Sequence, residues 1–178
     1  LRTTNSGATW TAQVSGTAFN LHAAWFTSDL EGWVVGNGST VLRTTNGGAT
    51  WTRITSANPG VNLLDVSFTS AGTGFAVGAT GTIIRTTNTG ASWTETNLPT
   101  AFALNAVAFG SASTGWAVGA GGVVAVTTDG GVSWDIVPAV TSQTLKGVSA
   151  TGPASAYAAG DQGVTARTVT AGAWELAP

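Results

Sequence analysis

The sequence predicts an all-β protein, a β-propeller of four-stranded antiparallel blades. Three observations support this fold class. The octet Thr-Thr-Asn-Gly-Gly-Ala-Thr-Trp at 44–51 recurs along the chain. Its tryptophan returns every 40–42 residues, at Trp10, Trp51, Trp93, Trp134 and Trp174, and a period of about 40 to 45 residues is that of one propeller blade. Between octets, short apolar segments alternate with glycine-containing turns, as in consecutive β-strands.

Each octet is interpreted as a tight hairpin turn. Its Asn or Asp bonds its side chain to backbone N–H groups further along, and its fifth-position glycine supplies a positive φ. A calcium loop is the alternative, but three of the four intact octets carry a neutral Asn and only Asp129 keeps a carboxylate. The tryptophan is expected to cover apolar surface while its N–H reaches a polar group. The predicted structural residues are Asn5, Gly7, Trp10, Asn46, Gly48, Trp51, Asn88, Gly90, Trp93, Asp129, Gly131, Trp134 and Trp174.

The octet resembles the Asp-box, or BNR, repeat of sialidases, sortilin-type receptors, xyloglucan-degrading enzymes and the photosystem II assembly and stability factor family. The last of these is the most similar. A strand with Phe109, a Gly-Trp-Ala-Val-Gly strand at 115–119 and the hairpin at 126–134 follow one another as in its repeat. The resemblance covers essentially the whole chain. It implies a propeller fold and an arginine-bearing face that receives an acidic partner.

The repeats divide a single domain, 1–178, into a half unit and four full units. The half unit, 1–16, holds only an outer strand pair, and the full units are predicted at 17–57, 58–99, 100–140 and 141–178, the last with a worn octet at 168–174. This gives about four and a half blades, fewer than the six to eight of a usual ring of this kind. The sequence contains no methionine, which suggests a piece of a longer protein. A small closed ring with the N-terminal hairpin as its clasp, and two copies completing one ring, are the alternatives, and a homodimer is expected.

Large rings occupy one register of the second strand in every full unit. They are Trp33, Phe75, Trp116 and Tyr157. Side chains of this size at equivalent positions predict a packing layer between neighbouring blades. Exposed rings would instead suggest a ladder on which sugars stack.

Composition excludes several classes of partner and chemistry. Only 8% of the residues are charged and the net charge is −2, with six basic residues and no basic run, so a nucleic-acid partner is not expected. No cysteine is present, which excludes disulfides and thiol chemistry. The longest apolar stretch, near 117–126, is broken by glycines and is too short to span a bilayer. The sparse charge predicts an extracellular, periplasmic or cell-surface location.

The residues needed for catalysis are missing. The sialidase resemblance would imply an arginine cluster and a Tyr/Glu pair, yet Tyr157 is the single tyrosine and lies in the packing register. Glycosidases need two facing carboxylates, whereas Asp29 and Glu31 share one turn. His22 is the single histidine and lacks a nucleophile-elbow motif. The sequence therefore predicts neither an enzyme nor a bound metal or cofactor.

The face formed by the loops between strands two and three and between blades is the expected binding surface. The residue after each first-strand leucine varies along the chain, as His22, Leu64, Asn105 and Lys146. Sequence drift without selection, at positions that tolerate change, is the alternative explanation. The candidate binding residues on this face are His22, Asn37, Asp65, Asn105, Lys146, Asp161 and Gln162.

A second register is basic. It contains Arg2, Arg43, Arg85 and Arg167, with Val126 as the exception. One interpretation is structural, with each guanidinium packed over an aromatic ring or bonded to octet carbonyls. The other is a basic stripe that receives an acidic partner.

Together these features favour a non-catalytic propeller that serves as a recognition or assembly scaffold outside the cytoplasm, with a protein partner. A glycan partner, within a carbohydrate-binding or glycosidase-associated module, is one alternative. A structural repeat of a surface protein is the other.

Overall fold

A computed structural model of the chain describes residues 1–55, 59–170 and 173–177. Sixteen strands in this part form four antiparallel sheets of four strands each. The first sheet contains β1 (Leu21–Phe26), β2 (Gly32–Gly36), β3 (Thr40–Thr44) and β4 (Thr52–Ile54); the second, β5 (Leu63–Phe68), β6 (Gly74–Gly78), β7 (Thr82–Thr86) and β8 (Thr94–Asn97); the third, β9 (Leu104–Phe109), β10 (Gly115–Gly119), β11 (Val124–Thr127) and β12 (Asp135–Val137); the fourth, β13 (Leu145–Gly152), β14 (Ser155–Gly160), β15 (Thr165–Thr170) and β16 (Ala173–Leu176).

Each sheet is a meander, because its strands pair in the order in which they follow along the chain. The first strands β1, β5, β9 and β13 contact one another in succession, so the sheets are arranged around an axis lined by these strands. This architecture confirms the predicted all-β partial propeller. No helix within the described residues is long and apolar enough to cross a bilayer.

The N-terminal half unit is less regular than the sequence predicts. Two strands are expected at 1–4 and 9–14, but the segments meet in one bridge, where the N–H of Arg2 donates to the Thr11 carbonyl at 2.9 Å and the reverse bond is 2.8 Å. Within the described residues no inner strand pair lies beside this hairpin to extend its ladder. The predicted unit boundary at 57/58 lies outside the described residues, and the unit boundaries stay a prediction.

The core lies between successive sheets, and the second-strand rings fill it. Trp33, Phe75 and Trp116 are completely buried, each within one of three apolar clusters. Tyr157 departs from the expected packing layer because it is 51% exposed. It lies in the fourth sheet, and no described sheet follows to cover it.

The indole nitrogens also depart from expectation. The N–H groups of the octet residues Trp93, Trp134 and Trp174 were expected to reach polar groups, yet they are buried without a hydrogen-bond partner among the described residues, as are those of Trp33 and Trp116. The rings pack against apolar side chains and glycine backbone instead, so these tryptophans contribute through burial and ring contacts.

Candidate functional site

Each first strand begins with a one-residue bulge. In the first sheet Leu21 pairs with Gly36 and the next pair is Ala23 with Val35, so His22 has no partner in the ladder. The same shift occurs in the other three sheets. The residues left unpaired are His22, Leu64, Asn105 and Lys146. A bulge redirects its extra side chain, so the four variable positions share one geometric cause.

A glycine at the end of each second strand makes room for the chain entering the bulge. A Cβ placed on Gly36, Gly78, Gly119 or Gly160 would lie only 1.9–2.2 Å from a backbone carbonyl oxygen. In the first sheet this oxygen belongs to Asn20 and accepts the Asn37 N–H at 2.9 Å. The close approach fixes the loop between strands two and three beside the bulge.

Hydrogen bonds connect the predicted binding residues on this loop face. His22 Nε2 and Asn37 Oδ1 are 2.6 Å apart. Lys146 Nζ lies 3.4 Å from Asp161 Oδ2 in an exposed ion pair, and Gln162 follows in the same turn with a φ of 57°. These pairs join a bulge residue to its neighbouring loop, so the bulges and loops form one surface.

Asn105 and Asp65 link neighbouring sheets. Asn105 Nδ2 donates to the Leu145 carbonyl at 2.7 Å, and Asp65 Oδ2 accepts the Val107 N–H at 2.9 Å. Burial raises the pKa of Asp65, although the N–H groups of Val107 and Val66 oppose this shift. Asp65 lines a cavity of about 700 Å³ among the first strands, so it lies nearer the axis than the exposed loop tips.

Two phenylalanines on the loop face were not among the predicted site residues. Phe19 and Phe102, each 50% exposed, both stand two residues before a first-strand leucine. Their rings lie over loop glycines, with ring atoms 3.1 Å and 2.9 Å from where a Cβ on Gly38 or Gly121 would stand. The guanidinium of Arg53 lies 5.7 Å from the Phe19 ring centre. Their shared register is the sequence signal that could have identified them.

All four arginines in the basic register have side-chain contacts with other residues of the structure. Arg43 pairs with Glu31 at 2.5 Å, and Arg167 pairs with Glu175 at 2.7 Å. Arg85 Nε donates to the carbonyl of Gly130, in the octet of the next unit, at 3.0 Å. Arg2 lies against Gly47, also in the octet of the next unit. Two of these four guanidinium charges therefore have a carboxylate partner.

The octets beginning at Thr3, Thr44 and Thr86 each form a turn with the same hydrogen-bond pattern. In the first sheet Thr44 Oγ1 donates to Asn46 Oδ1 at 2.9 Å and accepts the Gly48 N–H at 2.8 Å, while Asn46 Oδ1 also accepts the Thr50 N–H at 2.9 Å. The octets that begin at Thr3 and Thr86 repeat this pattern. The side-chain oxygen of the Asx residue is thus engaged within the turn.

The third octet uses a carboxylate in the same place. Asp129 accepts hydrogen bonds from the Ser133 hydroxyl and N–H, the Thr127 hydroxyl and the Val132 N–H. These bonds hold the pKa of Asp129 well below its usual range. Among the described residues, no three His, Cys, Asp or Glu side chains lie together as a metal site would need.

The meander sheets and repeated octet turns define a BNR-type β-propeller. The family model described as photosynthesis system II assembly factor YCF48 matches residues 55–177. The chain therefore belongs to this family, which confirms the resemblance seen in the sequence. None of the curated proteins matches the chain.

Solved structures share the fold at low identity. The chain is similar to a structure of YCF48 bound to D1 peptide, with 22% identity over 90% of this chain and 53% of that one, at a TM-score of 0.72. YCF48 from Cyanidioschyzon merolae gives 22% identity, 90% and 56% coverage, and a TM-score of 0.68. An ancestral GH74 enzyme gives 18% identity, 93% and 25% coverage, and a TM-score of 0.71. The chain spans about half the length of the two YCF48 structures.

The family match overturns the expected location. The sparse charge predicts an extracellular, periplasmic or cell-surface protein, and this prediction is wrong. The matching family is that of a photosystem II assembly factor, and photosystem II is assembled inside photosynthetic cells. Low charge reflects the repeat architecture, in which Thr, Ser, Asn and Gly build the turns, and carries no information about compartment.

Proposed function

We propose that this chain is a non-catalytic β-propeller that binds a protein segment during assembly of a larger complex, and that the loop face holds this segment. The observation that carries the proposal is the pair of half-exposed rings, Phe19 and Phe102, beside the bulge residues. Membership of the assembly-factor family supports the assembly role.

The chemistry of the face suits a peptide. Aromatic anchors surrounded by polar groups are typical of protein interfaces, and the rings here have hydrogen-bonding neighbours such as His22 and Asn37. The Lys146 and Asp161 charges pair with each other. The ligand is therefore expected to bring apolar side chains and free backbone groups rather than a high charge of one sign.

A non-catalytic role agrees with the state of the candidate carboxylates. Glu31 is paired with Arg43, so the Asp29 and Glu31 turn does not present two free acids to a substrate. Because YCF48 in a similar structure is bound to a D1 peptide, a segment of D1 is the first ligand to test for this chain.

The test uses fluorescent peptides tiled across D1 and measures binding by anisotropy. Phe19→Ala and Phe102→Ala are each expected to weaken a bound peptide by about tenfold or more, because aromatic anchors dominate such interfaces. Tyr157→Ala removes an equally exposed ring from the fourth sheet and serves as the matched control. An equal loss of affinity in Tyr157→Ala would contradict the proposal. Unchanged affinity in the two loop-face variants, with unchanged melting temperatures, would contradict it as well.

The carbohydrate alternative is tested with the same proteins. Three of the four second-strand rings are completely buried, so they offer no ladder for sugars, but Phe19 and Phe102 could stack on one. Oligosaccharide binding on a glycan array that is lost in Phe19→Ala would favour the carbohydrate module. The homodimer stays a prediction, and light scattering of the wild-type chain measures it.

A further inference from the structure

The four first strands line a cavity of about 700 Å³ along the axis of the sheets. One register of these strands pairs directly with the second-strand rings across the ladder. All four of its residues line the cavity, and they are Trp25, Ser67, Ala108 and Ser149. Every described sheet therefore contributes to the cavity, and its chemistry depends on the side chains in this register and in the one before it.

Two residues of these registers depart from the repeat. Trp25 is a large ring, 38% exposed, where the other units carry serine or alanine. Its partner in the ladder, Trp33, is completely buried and stacks on Phe68 of the second sheet, so Trp25 lies on the interior side of the first sheet. Asp65, which also lines the cavity, stands at the register where the other units carry Ala23, Ala106 and Gly147.

The Asp65 carboxylate has N–H donors but no cation beside it. Its Oδ2 atom accepts the Val107 N–H at 2.9 Å, and the Val66 N–H also bonds to the carboxylate. Within the described ranges the ion pairs involve other acids, namely Glu31, Asp161 and Glu175. Burial raises the pKa of Asp65, as expected for a partly desolvated carboxylate that has no countercharge.

Ser67 adds a second polar group to the same wall. It follows Asp65 by two residues in β5 with no bulge between them, so the two side chains leave the same side of the strand. Ser67 is only 4% exposed, and its hydroxyl makes no hydrogen bond to another described residue. A buried hydroxyl without a partner is costly. Asp65 and Ser67 thus present one negative charge and one free hydroxyl to the cavity.

We propose that this cavity binds the ammonium group of a lysine side chain supplied by a partner polypeptide. The three N–H donors of an ammonium suit the Asp65 carboxylate and the Ser67 hydroxyl. The Trp25 ring suits the positive charge and the methylene groups that carry it. The exposed residue Ala112 also lines the cavity, so a side chain can enter from the turns that follow the first strands. These turns lie at the opposite end of the strands from the loop face.

A divalent metal ion and an arginine fit this cavity less well. Among the described residues no three His, Cys, Asp or Glu side chains lie together, so a divalent ion would find the Asp65 carboxylate without the further ligands it needs. Arginine prefers to bind a carboxylate through two parallel N–H bonds, but Oδ2 of Asp65 already accepts the Val107 N–H. The compact ammonium of lysine needs only one free carboxylate oxygen.

The test titrates the isotope-labelled full chain with acetyl-Gly-Lys-Gly amide and follows two NMR signals. The Val107 N–H reports on the Asp65 carboxylate to which it bonds, and the indole N–H of Trp25 reports on the ring. Saturable shifts of both signals are expected in the millimolar range. The same peptide with an acetylated lysine lacks the charge and should bind about tenfold more weakly or not at all.

Three variants remove the proposed contacts one at a time. Asp65→Asn keeps an oxygen for the Val107 N–H but loses the charge, and it should weaken binding about tenfold or more. Ser67→Ala and Trp25→Leu should each weaken binding a few-fold. Asp135→Asn removes the same charge from an exposed position in β12 and should leave the affinity unchanged.

Four results would overturn the proposal. They are the absence of saturable shifts, equal binding of the acetylated peptide, unchanged affinity in Asp65→Asn, and an equal loss in Asp135→Asn. Tighter binding of the matching arginine peptide, or of free butylammonium, would assign the cavity to another cation and overturn it as well. Phe19→Ala and Phe102→Ala should not alter lysine binding, so this proposal and the one for the loop face can fail separately.

Discussion

The free faces of the first and fourth sheets differ in polarity. At the N-terminal end, the free face of the first sheet carries Phe26, Val34, Leu42 and Trp51 around a groove. At the C-terminal end, the free face is the side of the fourth sheet that no described sheet covers. There Tyr157, Arg167 and Glu175 lie side by side in register, with Tyr157 51% exposed.

The difference shows that one repeat pattern can serve two kinds of position. In the fourth unit Tyr157 and Thr165 stand where the earlier units have a tryptophan or phenylalanine and a valine or isoleucine, respectively. The first unit keeps the apolar residues that interior units bury, and Phe26 among them is 45% exposed.

The largest expected effect compares one register in the interior and at the C-terminal end. Trp33→Ala removes a completely buried ring stacked on Phe68 and should lower the free energy of unfolding by about 3–5 kcal/mol. Tyr157→Ala removes a half-exposed ring and should cost no more than about 1 kcal/mol. Chemical denaturation measures both.

Trp33→Phe guards this comparison against a variant that does not fold. It keeps a ring that can stack on Phe68, and its loss of stability should fall between the two values. Equal losses of unfolding free energy for Trp33→Ala and Tyr157→Ala would contradict the difference in burial between the two rings.

The second effect compares the same octet glycine in the third and first sheets. Gly131 and Gly48 occupy the same octet position with φ of 74° and 85°, so an alanine is strained at both. At Gly131 the new Cβ would also lie 2.1 Å from the Phe75 ring. Gly131→Ala should therefore cost about 1–3 kcal/mol more than Gly48→Ala in urea denaturation. Matching costs would contradict the difference in space around the two glycines.

A third effect compares two arginines of the basic register. Arg85 donates to the Gly130 carbonyl of the next unit and lies over Phe75, so Arg85→Ala should cost about 1–2 kcal/mol. Arg167 pairs with Glu175 in solvent, with 48% and 43% of the two side chains exposed, and Arg167→Ala should cost less than about 0.5 kcal/mol. Thermal melts in low and high salt check the ranking, since only the exposed pair is screened.

The fold could be predicted from the sequence because its signals are local. The octet turn closes through bonds within five residues, from Thr44 to Asn46 and Gly48, and its period counts the blades. The sequence did not predict that Tyr157 is half exposed. Tyr157 stands in the same register as Trp33, and its exposure depends on whether a sheet follows, which is a long-range property.

The candidate site was predicted less well for the same reason. The variable register of His22 and Lys146 was visible, but the bulge that causes it arises from pairing between strands. Asp65 was assigned to the loop face, although its carboxylate bonds to Val107 in the neighbouring sheet. Phe102 was missed because its ring covers a loop glycine that lies nearly twenty residues further along the chain.

The smallest effect concerns the octets, which are complete in the interior and worn at the C-terminal end. Asp129 accepts hydrogen bonds that lower its pKa. The ionised carboxylate therefore stabilises the fold above about pH 4, which is the usual pKa of an Asp side chain in an unfolded chain. This contribution is lost as the pH falls further. Asp129→Asn restores the residue of the other octets and should leave the urea midpoint nearly unchanged at pH 7. Between pH 7 and pH 3 the variant should lose less stability than wild type, while Asp135→Asn, an exposed control in β12, should not reproduce this difference.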